Sequence, residues 1–230
     1  MPENVTLRGE RVFLEPMETG HVPDLTRAAS ESRDAYGFTL VPADRDSMAR
    51  YVSAALDDQS TGWALPFVVR DRRRDQIVGS TRFLDLDYWT WPPSWPPGRT
   101  TPRPDAIPTV AEIGSTWLSA SAQGTGCNTE AKLLMLTHAF DVWGVLRVTL
   151  KTDARNGRSR AAIEKIGGRF EGVRRAHARA VDGSVRDTAY YSVLSEEWPD
   201  VRGRLRAISS PRRDPEGGHT RAGGGNAPAR

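Results

Sequence analysis

Ser119-Ala120-Ser121-Ala122-Gln123-Gly124-Thr125-Gly126-Cys127-Asn128-Thr129-Glu130-Ala131 decides the fold of this 230-residue chain. An apolar, strand-like run from Ile113 to Leu118 leads into it, and a helical run from Lys132 to Trp143 leads out. A strand, a glycine-bearing turn and a helix in that order gather free backbone N–H groups at a helix N-terminus. Such a place holds an anion, above all a phosphate. The glycines let the main chain approach the ligand, because no Cβ stands in the way.

Working upstream, Arg11–Glu15 reads as a first strand, with Val12 and Leu14 alternating against Arg11, Phe13 and Glu15. A helix with His21, Val22, Leu25 and Ala28-Ala29 on one face follows. A second, capped by Asp44 or Asp46, carries Met48, Tyr51, Val52 and Leu56. Trp63–Val69 is strand-like, and its Pro66 predicts an edge or a bulge. The charged turn Asp71–Asp75 leads back into a strand over Gln76–Leu84. Between Asp87 and Pro108 seven prolines accompany Tyr88, Trp89, Trp91 and Trp95. No regular element survives that proline density, while the aromatics argue against full disorder.

Downstream, Asn128 or Thr129 is expected to cap the helix that follows the turn, and Gly144 to end it. Arg147–Thr152 is a β-branched strand, and Asn156 or Ser159 opens a helix over Arg160–Ile166 that stops at Gly167-Gly168. Strands over Arg169–Arg179 and Arg186–Leu194 meet at Val181-Asp182-Gly183-Ser184, a hairpin signal. A last helix covers Glu196–Ile208, and from Ser209 onward Pro, Gly, Arg and Ser predict a disordered tail. The expectation is one domain over residues 1–208, with an 87–110 Trp/Pro-rich insertion and a 209–230 tail. The unit around the turn demands a parallel strand pair with a right-handed crossover, and the flanking hairpins are antiparallel. An α/β chain with a mixed, mostly antiparallel sheet and helices on both faces results.

Composition narrows the function. A hydrophobic content of 38% with 27% charged residues is globular, and nothing is apolar for long enough to span a membrane. The first residues lack a secretory pattern and Cys127 is the single cysteine, which together predict a cytoplasmic protein without an internal disulfide. A net charge of +3 is too small an excess to argue for nucleic acid. The four histidines show no metal-ligand spacing.

The order of elements, with the turn after the fourth predicted strand, resembles the GNAT acyltransferase superfamily, and within it the RimJ/RimL-like type. That family's Gln/Arg-x-x-Gly-x-Gly/Ala turn corresponds to Gln123–Asn128, where Asn128 replaces a small residue. The subgroup's Asn-x-x-Ser and Glu-Lys-x-Gly are matched by Asn156-Gly157-Arg158-Ser159 and Glu164-Lys165-Ile166-Gly167. The resemblance covers residues 5 to 208. It implies a splayed parallel strand pair, and acetyl-CoA as co-substrate with its pyrophosphate on the backbone of Gln123, Gly124, Thr125, Gly126, Cys127 and Asn128. The pantetheine arm would lie along Thr116, Trp117 and Leu118 and bond Asn156, which can equally be a helix cap.

The implied chemistry is acetyl transfer to a primary amine by direct attack, on a protein N-terminus or a small molecule. Glu112 is the candidate base; its other reading is a solvated strand-end carboxylate. Ser159 matches the subgroup's proposed general acid and is otherwise an N-cap serine, with Tyr190 and Tyr191 in reserve. A backbone N–H near Trp117 would meet the developing oxyanion. Cys127 is not expected to act as a nucleophile, although its helix N-terminus predicts a lowered pKa. Tyr36, Trp89, Trp91 and Arg175 are the candidate acceptor residues. The Trp/Pro loop and the 181–184 hairpin are both expected at the sheet end opposite the turn, walling the acceptor site. The alternative for the loop is a dimer contact, which would make the protein a homodimer. The alternative function is a catalytically inactive acyl-CoA-binding sensor or assembly protein.

Overall fold

A single eight-stranded sheet in the order β1-β2-β3-β4-β5-β6-β8-β7 carries the chain. The structure is a computed structural model that describes residues 2–93 and 105–209. Trp95, the prolines between 96 and 104 and the predicted tail from residue 210 onward lie outside the described residues, while Ser209 ends the last helix.

The strands are β1 (Leu7–Arg8), β2 (Val12–Pro16), β3 (Leu65–Asp71), β4 (Gln76–Asp87), β5 (Val110–Leu118), β6 (Arg147–Asp153), β7 (Arg169–Arg179) and β8 (Val185–Leu194). The helices are α1 (Val22–Ser30), α2 (Arg45–Ser60), α3 (Cys127–Thr137), α4 (Gly157–Lys165) and α5 (Trp198–Ser209). All neighbouring strands are antiparallel except β5 and β6. The mixed sheet expected from the sequence is therefore present, with one strand more than expected, because Leu7–Arg8 is too short to show an alternation.

Two apolar clusters sandwich the sheet. One gathers α3, α4 and α5 around Phe67, Phe83, Met135, Ile163 and Leu205. The other gathers α1 and α2 around Leu25, Met48, Val52, Val68 and Trp117. Alternation along β4 and β5 therefore sends neighbouring side chains to opposite faces: Trp117 faces α1 and α2, and Thr116 faces α3. No helix among the described residues is long and apolar enough to cross a membrane.

Three local expectations change. Pro66 sits on an interior strand, tolerated because β2 ends at Pro16, opposite Phe67. The cap of α3 is Gly126, with φ 91, rather than Asn128 or Thr129, so the helix begins at Cys127. A left-handed turn there suits glycine. The 181–184 hairpin lies at the same sheet end as the glycine turn. Asp153, the last residue of β6, pairs with Thr188 near the start of β8, and β6 is parallel to β5. Each strand–helix–strand crossover preserves strand direction, so α3 and α4 together bring the hairpin back to the turn.

One buried carboxylate ties the turn helix to the sheet. Glu130 accepts from the backbone N–H groups of Glu10, Arg11 and Val12 at 3.1, 2.7 and 2.8 Å. Bonds of this charge-assisted kind contribute about 1.5–3 kcal/mol each. They hold Arg11 beside the mouth of the glycine turn.

Candidate active site

The site begins where two parallel strands part. Pairing of β5 with β6 runs from Val110↔Arg147 to Glu112↔Thr149 and stops there. Residues 113–118 keep β4 on their other edge and leave their β6-facing backbone groups without a strand partner. On the β4 side the register jumps: Ser80 pairs with Trp117 and Arg82 with Gly114, so Ser115 and Thr116 together oppose Thr81. Ser115 takes φ 47 in this bulge, and bulges of this kind re-aim backbone groups beside active sites. A cleft of about 1000 Å³ fills the gap. Its lining includes Ile163, Ile166 and Ile208 from one face of the sheet and Tyr36, Phe38, Leu40 and Tyr51 from the other.

At the first face lies the glycine turn. Gly124 and Gly126 have φ of 75° and 91°. A Cβ on Gly124 would point into open space, and one on Gly126 would come within 3.5 Å of Arg11 Nε. The first intrahelical bond of α3 is donated by Glu130 N–H to Gly126 O, at 3.0 Å. The amides of Cys127, Asn128 and Thr129 thus precede it. Gly124 to Gly126, Asn128 and Thr129 line the cleft together with Arg11 and Arg158. Arg158 donates to Gln123 Oε1 at 3.0 Å, and Gln123 Nε2 to Leu118 O at 2.9 Å. Glu31, the C-cap of α1, accepts from Ser121 N–H at 2.9 Å and anchors the approach to the turn. Open amides, a glycine cradle and two guanidinium groups fit a pyrophosphate.

Glu112 stands at the fork. It is 4% exposed, so the reading as a solvated strand-end carboxylate is corrected. Burial pushes its carboxyl up to about 7, against the pull of Lys151, whose Nζ lies 2.9 Å away. Lys151 also reaches Asp85 at 3.3 Å. A carboxylate that titrates near neutrality at the fork of a cleft is matched to proton abstraction.

Asn156 is the N-cap of α4: its Oδ1 accepts from Ser159 N–H at 3.0 Å. Both residues also line the cleft, so capping does not remove them from it. Cys127 is buried and absent from the cleft lining, and burial pushes its thiol up instead of the expected lowering. Tyr191 is fully buried and bonds Glu164 and Arg160, and Tyr190 meets His177. Neither tyrosine lines the cleft.

Of the candidate acceptor residues, Tyr36 is brought in. Its hydroxyl donates to Leu118 O at 3.1 Å, and its ring meets Trp117 edge-on. Trp89 and Trp91 lie past the Asp87↔Val110 pair, at the sheet end away from the glycine turn, and neither lines the cleft. Arg175 is exposed on β7 and also stands outside it. The 179–181 end of the hairpin does line it, with Arg179 and Arg186. Arg155 joins that hairpin to the α1–α2 connection: it bonds Asp182 at 2.9 Å and lies over the Phe38 ring at 5.4 Å.

Sequence reasoning missed Arg11, Arg158, Lys132 and Lys151. Arg11 and Lys151 read as ordinary strand positions, Lys132 as a helix-former, and Arg158 fell inside the Asn-x-x-Ser spacing. Only the fold brings them together.

The profile of the acetyltransferase (GNAT) domain matches residues 11–169. A GCN5-related N-acetyltransferase from Brucella melitensis superposes with a TM-score of 0.75 at 30% identity, covering 91% of this chain and 87% of that one. Mycobacterium smegmatis RimJ, in complex with CoA-disulfide, shares the fold with a TM-score of 0.69 at 22% identity, over 86% and 88% of the two chains. YdaF of Bacillus subtilis strain 168, described as a candidate ribosomal N-acetyltransferase, is 36% identical over 94 residues, which are 41% of this chain. The match spans half the length of that curated relative. With its profile over most of the chain and its splayed strand pair, this chain belongs to the GNAT acetyltransferase family.

Proposed function

We propose that the protein transfers an acetyl group from acetyl-CoA to a primary amine, and that the amine is a protein N-terminus. The observation that carries this reading is one continuous cleft, lined at one face by the glycine turn and at the fork by Glu112. The amides of Gly124, Thr125, Gly126, Asn128 and Thr129, with Arg11 and Arg158, hold the pyrophosphate. The open edge of residues 113–118 offers strand-like pairing to the pantetheine arm, helped by Asn156. The bulge at Ser115 and Thr116 presents main-chain N–H groups where negative charge develops on the carbonyl oxygen. Glu112 takes the proton of the attacking amine, directly or through a water. Lys151 keeps part of the Glu112 population ionised.

Three things support a peptide acceptor. Phe38, Leu40 and Val181 are exposed apolar groups that line the cleft. Arg179 and Arg186 add positive charge there. The YdaF description points to ribosomal N-acetylation. The test is a panel of peptides with free N-termini, the same peptides N-blocked but carrying lysine, and small amines, each read by the mass of the product. The free N-termini are expected to gain an acetyl group at least tenfold faster than the others. Preferred acetylation of the lysine peptides or small amines would refute the N-terminal assignment.

A further inference from the structure

Lys132 is an anomaly inside this site. It projects from α3 under β4 and β5, lines the cleft, and is 5% exposed. Its Nζ donates to Thr116 Oγ1 at 2.6 Å and to Thr81 Oγ1 at 3.1 Å. The two hydroxyls are 2.7 Å apart, and Thr81 also touches Met135 Sδ. Among the described residues no carboxylate pairs with this ammonium. On its own helix Glu130 is committed to the β1–β2 turn, and on β5 Glu112 is committed to Lys151 of β6. The cationic Arg11 and Arg158 stand at the glycine turn. Leaving a lysine in the interior without a counterion is costly, and a leucine or methionine would fill the space without that cost. Burial pushes its ammonium down to about 7, and a group titrating there can both give up and regain a proton near neutrality.

The second observation is where Thr116 sits. It is in the β5 bulge, on the stretch that has lost its β6 partner, and it lines the cleft. Thr116 Oγ1 accepts from Lys132, and its one proton, which rests on Gly114 O at 3.3 Å, can turn to an acceptor in the cleft.

We propose that Lys132 and Thr116 form the proton-delivery pair for the sulfur leaving group, a role that rests on the reading of the cleft as an acetyl-CoA site. The balance is complete. The amine nitrogen bonds to the acetyl carbon and passes its proton to Glu112. The carbon–sulfur bond breaks, and its electron pair goes to sulfur. Sulfur takes a proton from Thr116 Oγ1, which is refilled by Lys132 Nζ, leaving the lysine neutral. Solvent then removes the proton from Glu112 and restores the one on Lys132. Thr116 is the residue that meets the sulfur, and Lys132 acts through it.

The test begins with binding. CoA is titrated into the full chain, and the thiolate of the bound ligand is followed by its ultraviolet absorbance against pH. The wild type is expected to hold about tenfold more thiolate at pH 7 than Lys132→Met, because the buried cation favours the charged sulfur. Lys132→Arg keeps the charge and therefore keeps the thiolate. Its kcat is nevertheless expected to fall about a hundredfold, since a guanidinium does not release a proton. A fall in kcat above pH 7 is expected of the wild type and should be lost in both variants, with the KM for acetyl-CoA within about threefold. Identical thiol titration in wild type and Lys132→Met, or an alkaline limb that survives in Lys132→Met, would overturn the proposal. Failure of the wild type to bind CoA is a different result, and it would refute the assignment of the cleft itself.

Discussion

Glu112→Gln is expected to lower kcat about a hundredfold at pH 8 while leaving affinity for CoA unchanged. Glutamine keeps the shape of the side chain and cannot take a proton, and general base catalysis is typically worth 10²–10⁴-fold. The sign of the pH dependence follows from burial. A free glutamate is ionised well below neutrality, but Glu112 titrates near 7, so the wild-type base becomes available only as pH rises through that value. The loss in the variant is therefore greatest above pH 7. It shrinks below, where the wild-type carboxyl is itself protonated and resembles the amide. The acid limb of the wild-type profile should disappear or move to the ionisation of the amine. Measurement of kcat from pH 5.5 to 9 for both proteins checks this, and an unaltered profile would remove Glu112 from the mechanism. Lys151→Met is the companion variant. Without the cation at 2.9 Å, the Glu112 limb should move to higher pH.

Gly126→Trp is expected to abolish measurable CoA binding, a loss of at least a hundredfold, or about 2.7 kcal/mol. Two effects combine. The residue sits at φ 91, where any side chain is strained by about 1–2 kcal/mol. The added ring also enters the cradle beside Arg11, which already lies 3.5 Å from the position of a Cβ. Core packing beneath the turn, through Ala122, Ala131 and Met135, is untouched, so the melting temperature should fall by only a few degrees. Gly126→Ala serves as the control: it carries the strain without the ring and should bind more tightly than the tryptophan variant. Calorimetry with CoA measures all three, and unchanged affinity in Gly126→Trp would contradict the placement of the pyrophosphate.

Much of this arrangement was legible before the fold. The glycines of the turn, the parallel pair around it and the position of Glu112 follow from local chemistry, because a strand, a tight turn and a helix leave their mark within a few residues. What escaped was non-local. Glu112 meets Lys151, and through it Asp85, only once β4, β5 and β6 align, and both partners lie far away in sequence. Lys132 opens the helical run that follows the turn, and nothing in that run says that an amine points inward. Simple alternation of strand direction puts the 181–184 hairpin at the far end, because it ignores the α4 crossover, which preserves direction as α3 does. Trp89 and Trp91 remain at the far end, and the aromatic side chains that line the cleft from the connection between the first two helices are Tyr36 and Phe38.

One cleft is proposed both to hold acetyl-CoA and to pass its acetyl group to an amine. The most direct measurement is release of free thiol from acetyl-CoA by the full chain in the presence of amines, made on protein whose CoA affinity has been fixed by calorimetry. The expected results are measurable CoA binding, thiol release that depends on the amine, and loss of that release in Glu112→Gln with binding retained. Tight CoA binding without thiol release for any amine would contradict that proposal, and would leave the protein an acyl-CoA-binding relative that has lost catalysis.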